Sequence, residues 1–306
     1  MIENPHLEDK SHVFVAYEGE ATYNQPNWVD VVGMEADTSH LEKGLIIVCL
    51  CVGSGSNNGN FGFRLVDGGG NPLSPYRVKS GNREPAHFSH QPNTYAGATS
   101  TVTYSLFAIL PDKIKLQIRV DDSDIAFVNH LDPNMAYNNK AARNHMPIST
   151  LSVLDINELK SKQVRSDLEK KYTTNGAWFD MGGMVLDVSN INSGFILASI
   201  SVCDDGGGQN IGFRFVNENN VPFTPYRTEV GACHFTHYPD YRYPETLSPM
   251  SYALQTNLRN SNKVKLQLRI DGYNDSQILM INMVAANADE IWNHMASSTM
   301  TLLYNE

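Results

Sequence analysis

Residues 59–77 read GNFGFRLVDGGGNPLSPYR, and residues 209–227 read QNIGFRFVNENNVPFTPYR. A chain that repeats itself at a separation of 150 residues is constrained to fold as two like bodies, because equal sequences bury equal faces. The same offset places Trp28 on Trp178, Gly33-Met34 on Gly183-Met184 and Asp37 on Asp187. It also sets GLIIVCLCV (44–52) on GFILASISV (194–202) and KIKLQIRVD (113–121) on KVKLQLRID (263–271). Six of the last nine positions are identical, and the other three exchange one branched aliphatic for another. Near the two ends NHMPISTLSVL (144–154) meets NHMASSTMTLL (293–303) at an offset of 149. The register slips between Tyr76 and Ile109 and again after Asp121, where loops absorb insertions.

The repeating unit reads as β. In KIKLQIRV, Ile114, Leu116, Ile118 and Val120 alternate with Lys113, Lys115, Gln117 and Arg119, the period of a strand with one buried face. Val264, Leu266, Leu268 and Ile270 repeat this, and NFGFRLV puts Phe61, Phe63 and Leu65 opposite Arg64. Further strands are expected at 13–17, 28–37, 44–52, 99–109, 125–129 and 149–156, separated by Gly, Pro, Asn and Asp clusters. The fold class expected is all-β: two tandem β-sandwich (jelly-roll) domains related by internal duplication. Residues 1–156 form the first sandwich and 157–306 a linker with the second. In the linker, Asp155 or Asn157 is placed to cap one or two helical turns, while Val164–Lys171 falls opposite the strand at 14–21, so a short helical or coil linker followed by that strand is expected.

With 306 residues there is room for two domains, and 41 % hydrophobic with 18 % charged residues suffices to fill two modest cores. No apolar run reaches the length of a membrane helix, and the N-terminus MIENPHLEDKSH has no basic region followed by an apolar one. A net charge of −10 without a Lys/Arg stripe argues against nucleic acid as a partner. The four cysteines, Cys49, Cys51, Cys203 and Cys233, have no counterparts in the other copy, and a disulfide framework would have been duplicated with the fold. They are expected to be buried thiols of a chain made in a reducing compartment.

Catalytic chemistry is hard to find. HFSH (87–90) and HFTH (234–237) pair two histidines in each copy, with His145 and His294 as distant further candidates for a metal. On a strand, residues three apart point to opposite faces, so loop histidines held by hydrogen bonds are the stronger expectation, and no metal or cofactor is assigned. The acidic runs at 120–124 and 203–208 lack the ordered oxygen ligands of a calcium loop. GSGSNNG (53–59) leads into another strand and offers no helix N-terminus to a phosphate. No nucleophile motif occurs, so the chain is not expected to be an enzyme. Arg64, Arg214, Arg119 and Arg269 sit where arginines brace neighbouring strands. One loop differs informatively: HFTHYPDYRYPE (234–245) carries Tyr238, Tyr241, Arg242 and Tyr243 where copy one has HFSHQPNTYAGA. That composition suits a contact patch, or tyrosines packed over the edge of their own sandwich.

The motif order TTNGAWFDMGGMVLDVSNINSGFILASISV, NIGFRFV, KVKLQLRID and STMTLLY resembles tandem jelly-roll (tumour-necrosis-factor-like) modules of tailed-bacteriophage virion structural proteins. The likeness runs over both halves. It implies a non-enzymatic virion component, a capsid decoration or a collar, neck or fibre-associated piece, whose partners are other virion proteins. It further implies a homo-oligomer, with a trimer favoured, made in the host cytoplasm without a signal peptide, and neither nucleic acid nor membrane as partner. A tandem lectin-like protein using the tyrosine-rich loop on carbohydrate or a receptor is the alternative, and a metal-dependent cupin-type enzyme a third.

Overall fold

The computed structural model describes residues 12–55, 61–78, 84–90, 99–120, 125–129, 148–173, 176–204, 210–229, 232–237, 248–271, 278–282 and 294–305. Among them there is no helix. The first half holds His12–Tyr17 (β1), Ala21–Tyr23 (β2), Val29–Asp37 (β3), Lys43–Ser54 (β4), Phe61–Asp67 (β5), Glu84–Pro85 (β6), Phe88–His90 (β7), Thr99–Ile109 (β8), Lys113–Val120 (β9), Ala126–Val128 (β10) and Ser149–Asp155 (β11). The second holds Lys160–Ser166 (β12), Lys170–Thr173 (β13), Trp178–Asp187 (β14), Ser193–Asp204 (β15), Asn210–Val216 (β16), Phe235–His237 (β17), Ser248–Asn257 (β18), Lys263–Asp271 (β19), Ile278–Ile281 (β20), His294–Met295 (β21) and Ser298–Tyr304 (β22).

Each half pairs a six-stranded with a four-stranded antiparallel sheet. In the first, β1-β11-β4-β10-β2, with β8 on the other edge of β4, faces β3-β9-β5-β7. In the second, β12-β22-β15-β20-β13, with β18 against β15, faces β14-β19-β16-β17. The order is the same strand for strand. Between the sheets, Phe61, Phe63, Leu65, Ile114, Leu116 and Ile118 meet Ile46, Val48, Leu50, Leu106, Leu151 and Val153, all buried. Phe213, Phe215, Leu266 and Leu268 meet Ile196, Ile200, Met300 and Leu302 in the second half. Each such side chain stabilises the fold by roughly 1.5–3 kcal/mol, so the alternation in the K-x-K-L-Q-x-R strand decides which of its faces turns inward.

The eight strands expected of copy one are present, and β2, β6 and β7 are added; at two or three residues they are too short to show a period. The linker takes the coil form of the two expected. No helical turn forms after β11: residues 156–159 make a turn closed by the Leu159 amide on the Ile156 carbonyl at 2.9 Å, and β12 begins at Lys160. The Asp155 carboxylate accepts from the Asn157 amide at 2.8 Å, capping that turn and not a helix. Burial of Ile156 and packing of Leu159 hold it. The thiols depart from expectation: Cys49, Cys51 and Cys233 are only half-buried, with Cys49 and Cys51 beside Thr103 and Thr101.

β3 and β14 each carry a bulge, after Asp30 and after Asp180. Gly33 and Gly183 lie in these bulges at φ +72° and +78°. A Cβ on Gly33 would stand 2.3 Å from the Tyr17 ring, whereas at Gly70, φ +87°, it would meet nothing within 4 Å. Gly33→Ala is therefore expected to cost about 2–3 kcal/mol from conformation plus crowding, and Gly70→Ala only about 1–2 from conformation. Urea unfolding of the two variants checks this; equal losses would mean that Tyr17 yields without cost.

Candidate functional site

The polar side chains shared by both halves are engaged in holding strands. On the outer face of the first four-stranded sheet, the Arg64 guanidinium lies 4.4 Å from the centre of the Trp28 ring and its Nε donates to Gln117 Oε1 at 2.8 Å. Gln117 Nε2 donates to Asp30 Oδ1 at 2.7 Å, and Lys115 Nζ to Asp30 Oδ2 at 3.0 Å. Partial burial works to raise the Asp30 pKa, but these two donors outweigh it and hold the carboxyl below its ordinary value. The second half repeats the chain of contacts with Arg214 at 4.1 Å over Trp178, Gln267, Asp180 and Lys265. The arginines thus brace neighbouring strands, as their positions suggested.

Pro-Tyr-Arg and the histidine pair form a second shared lock. His87, fully enclosed, accepts the Leu65 amide on Nδ1 at 3.0 Å, so its proton sits on Nε2, which donates to the Leu73 carbonyl at 2.9 Å. Burial, opposed in part by the Leu73 carbonyl, pushes its pKa down to about 3. Tyr76 tilts against the ring at 4.8 Å and its hydroxyl donates to the Pro85 carbonyl. His234 does the same between the Phe215 amide at 3.0 Å and the Phe223 carbonyl at 2.9 Å, and burial lowers its pKa too. With both ring nitrogens committed to backbone, neither imidazole has a lone pair to give a metal. Among the described residues no group of three His, Cys, Asp or Glu is arranged around a common point.

The distinctive geometry is where the halves meet. Leu45, Ile47 and Phe107 of the first half, with Ile156 and Leu159 of the turn, pack against Leu197 and Leu303 of the second. Beside them Ser105 and Ser199 share a hydroxyl contact of 2.6 Å, and Ser251 stands 2.8 Å from Ser199. At the rim, Arg77 donates to the Ala296 carbonyl at 2.9 Å and pairs with Glu169 at 3.1 Å, while Arg165 returns a bond to the Tyr76 carbonyl at 2.8 Å. β6 and β21 add a short parallel ladder across the joint. An apolar centre ringed by charge-assisted bonds is the anatomy of a protein–protein interface, here made within one chain.

No protein-family model matches the chain, and comparison with curated proteins finds no match. Weak structural likenesses are to infectious bursal disease virus structures and to an exported protein. One is infectious bursal disease virus, Gt strain, at 11% identity and TM-score 0.28, covering 97% of this chain and 73% of that one. Another is the VP2 subviral particle of the same virus, at 10% and 0.26, covering 97% and 73%. A third is PBSX exported protein XepA, at 10% and 0.20, covering 94% and 86%. Likeness at this level carries no inference about function.

Of the residues singled out in the sequence, Tyr238, Tyr241, Arg242 and Tyr243 lie outside the described residues, as do His145 and most of the two acidic runs. The joint was not foreseen. Pro-Tyr-Arg occurs in both halves, yet Arg77 crosses to the second half while Arg227 pairs, among the described residues, with nearby Glu229 at 3.0 Å. The sequence signal available was Leu303 beside Leu302, an aliphatic pair that breaks the alternation of a strand with one wet face.

Proposed function

We propose that the chain is a non-enzymatic structural protein of a virion, a decoration or a collar, neck or fibre-associated component that holds other virion proteins. In this reading residues 1–156 and 157–306 are two modules derived by duplication, made in the host cytoplasm and assembled as a homo-oligomer, with a trimer favoured. The observation that carries it is the joint: among the described residues most polar groups common to both halves brace strands, whereas Arg77 and the apolar cluster beside it grip another sandwich. The motif resemblance supports the same reading. Tyr238, Tyr241, Arg242 and Tyr243 are proposed as a contact loop on the second module.

Purified shells that lack the protein should take it up saturably at micromolar concentration, and Tyr241→Ala should weaken uptake about tenfold, the scale of one aromatic anchor. A chain that stays in the supernatant with such shells ends this proposal. Glycan-array hits lost in Tyr241→Ala would move the loop to carbohydrate instead.

A further inference from the structure

We propose that the outer face of the first six-stranded sheet, at β1 and β11, is a docking site for a second copy of this chain, which presents the open edge of its second half. The internal joint shows what such a face accepts. In the second half, Thr299, Thr301 and Leu303 on the outer side of β22 are 3%, 2% and 6% exposed, and Leu303 packs against Leu45, Ile47 and Phe107 of the first half. The pairing registers put Leu154 of β11 at the position of Leu303, since Leu154 stands opposite Leu45 and Leu303 opposite Phe195. Leu154 is nevertheless 41% exposed, and next to it on the same face Phe14, at the position of Gln163, is 50% exposed. An aliphatic and an aromatic side chain thus stand at β1 and β11 on a sheet face whose β4 part, Leu45 and Ile47, already lies in the joint.

The matching edge belongs to the second half. The first half grips with Arg77, 12% exposed, and with the carbonyl of Tyr76. Their counterparts in the second half are Arg227, 79% exposed, and Tyr226. Among the described residues Arg227 holds Glu229, itself 62% exposed, a pair too wet to anchor much. Beside it runs an open cleft of about 650 Å³ lined by Thr224, Pro225, Gln255, Asn257 and Arg259 among others. The first half also keeps the receiving groups: Asn129 occupies the place of Asn282, whose carbonyl accepts from Arg77, and Glu20 the place of Glu169. Face and edge are different surfaces, so the contact is head-to-tail and generates a closed ring or a filament.

The inference rests on the self-assembling part of the reading above, and shell uptake, measured separately, bears on the virion part alone. The test uses the full chain in mass photometry and sedimentation velocity up to tens of micromolar. Phe14→Glu/Leu154→Glu removes the face, and Arg227→Glu, at a fully wet position, removes the edge without touching a core. Wild type should assemble, each variant should self-associate about a hundredfold more weakly or worse, and an equimolar mixture of the two should form pairs and nothing larger. Pairs arise because one live face and one live edge remain between the two chains. A wild type that stays monomeric, assembly indifferent to Arg227→Glu, or a mixture that forms no pairs would each overturn the proposal.

Discussion

Replacing His87 by alanine is expected to destabilise the first sandwich by about 3–5 kcal/mol. The ring satisfies two enclosed backbone groups, the Leu65 amide at 3.0 Å and the Leu73 carbonyl at 2.9 Å. Leaving either unpaired costs roughly 1–3 kcal/mol, and the space left beside Tyr76 and Tyr104 adds to that. His87→Gln keeps a donor and an acceptor on one side chain and should recover part of the loss. His234→Ala, at a less enclosed position, should lose less. Urea midpoints for the three variants decide it; a loss under 1 kcal/mol in His87→Ala would mean that solvent reaches the Leu65 amide.

Acid should unfold the protein earlier than its carboxylates alone require. His87 is neutral in the fold, with its pKa lowered from 6.5 to about 3. Between those values the unfolded chain binds a proton that the native chain refuses, so stability rises with pH across that window. The stabilisation is complete above pH 6.5 and is lost as pH falls toward 3, at up to about 1.4 kcal/mol per pH unit for one such group. His234 shifts in the same direction and adds to the slope. Asp30 and Asp180, both held below the ordinary 3.8, also favour the fold at high pH, but they give up their contribution only at lower pH. A fall of about 2–3 kcal/mol between pH 6.5 and 4.5 therefore belongs to the histidines. Urea titrations at pH 7.5, 5.5 and 4.5 should show it in the wild type and show a shallower slope in His87→Gln. A flat profile over that range would contradict the enclosed neutral ring.

The fold was legible where periodicity and repetition spoke together. Ile114, Leu116, Ile118 and Val120 alternate without a break, the same pattern recurs 150 residues later, and both strands turn those side chains inward. The use of the histidines was half legible: strand geometry argued against a shared ion, but only coordinates name Leu65, Leu73, Phe215 and Phe223 as their partners. The joint was not legible, because Arg77 and Arg227 sit in the same three-residue motif and differ only in what tertiary structure brings to them. β6 and β21 escaped for a similar reason, since a two-residue ladder leaves no period. The linker left helix and coil both open because Asp155 caps a tight turn as readily as a helix.

The first and last strands of each half are neighbours: His12 stands across from Leu154, and Lys160 across from Tyr304. Four intervening residues tie Asp155 to Lys160, so both ends of both sandwiches gather at one pole. A segment fused behind Tyr304 enters beside that pole. Such a layout lets further sandwiches be strung on, or a cargo hung, without rethreading a single strand.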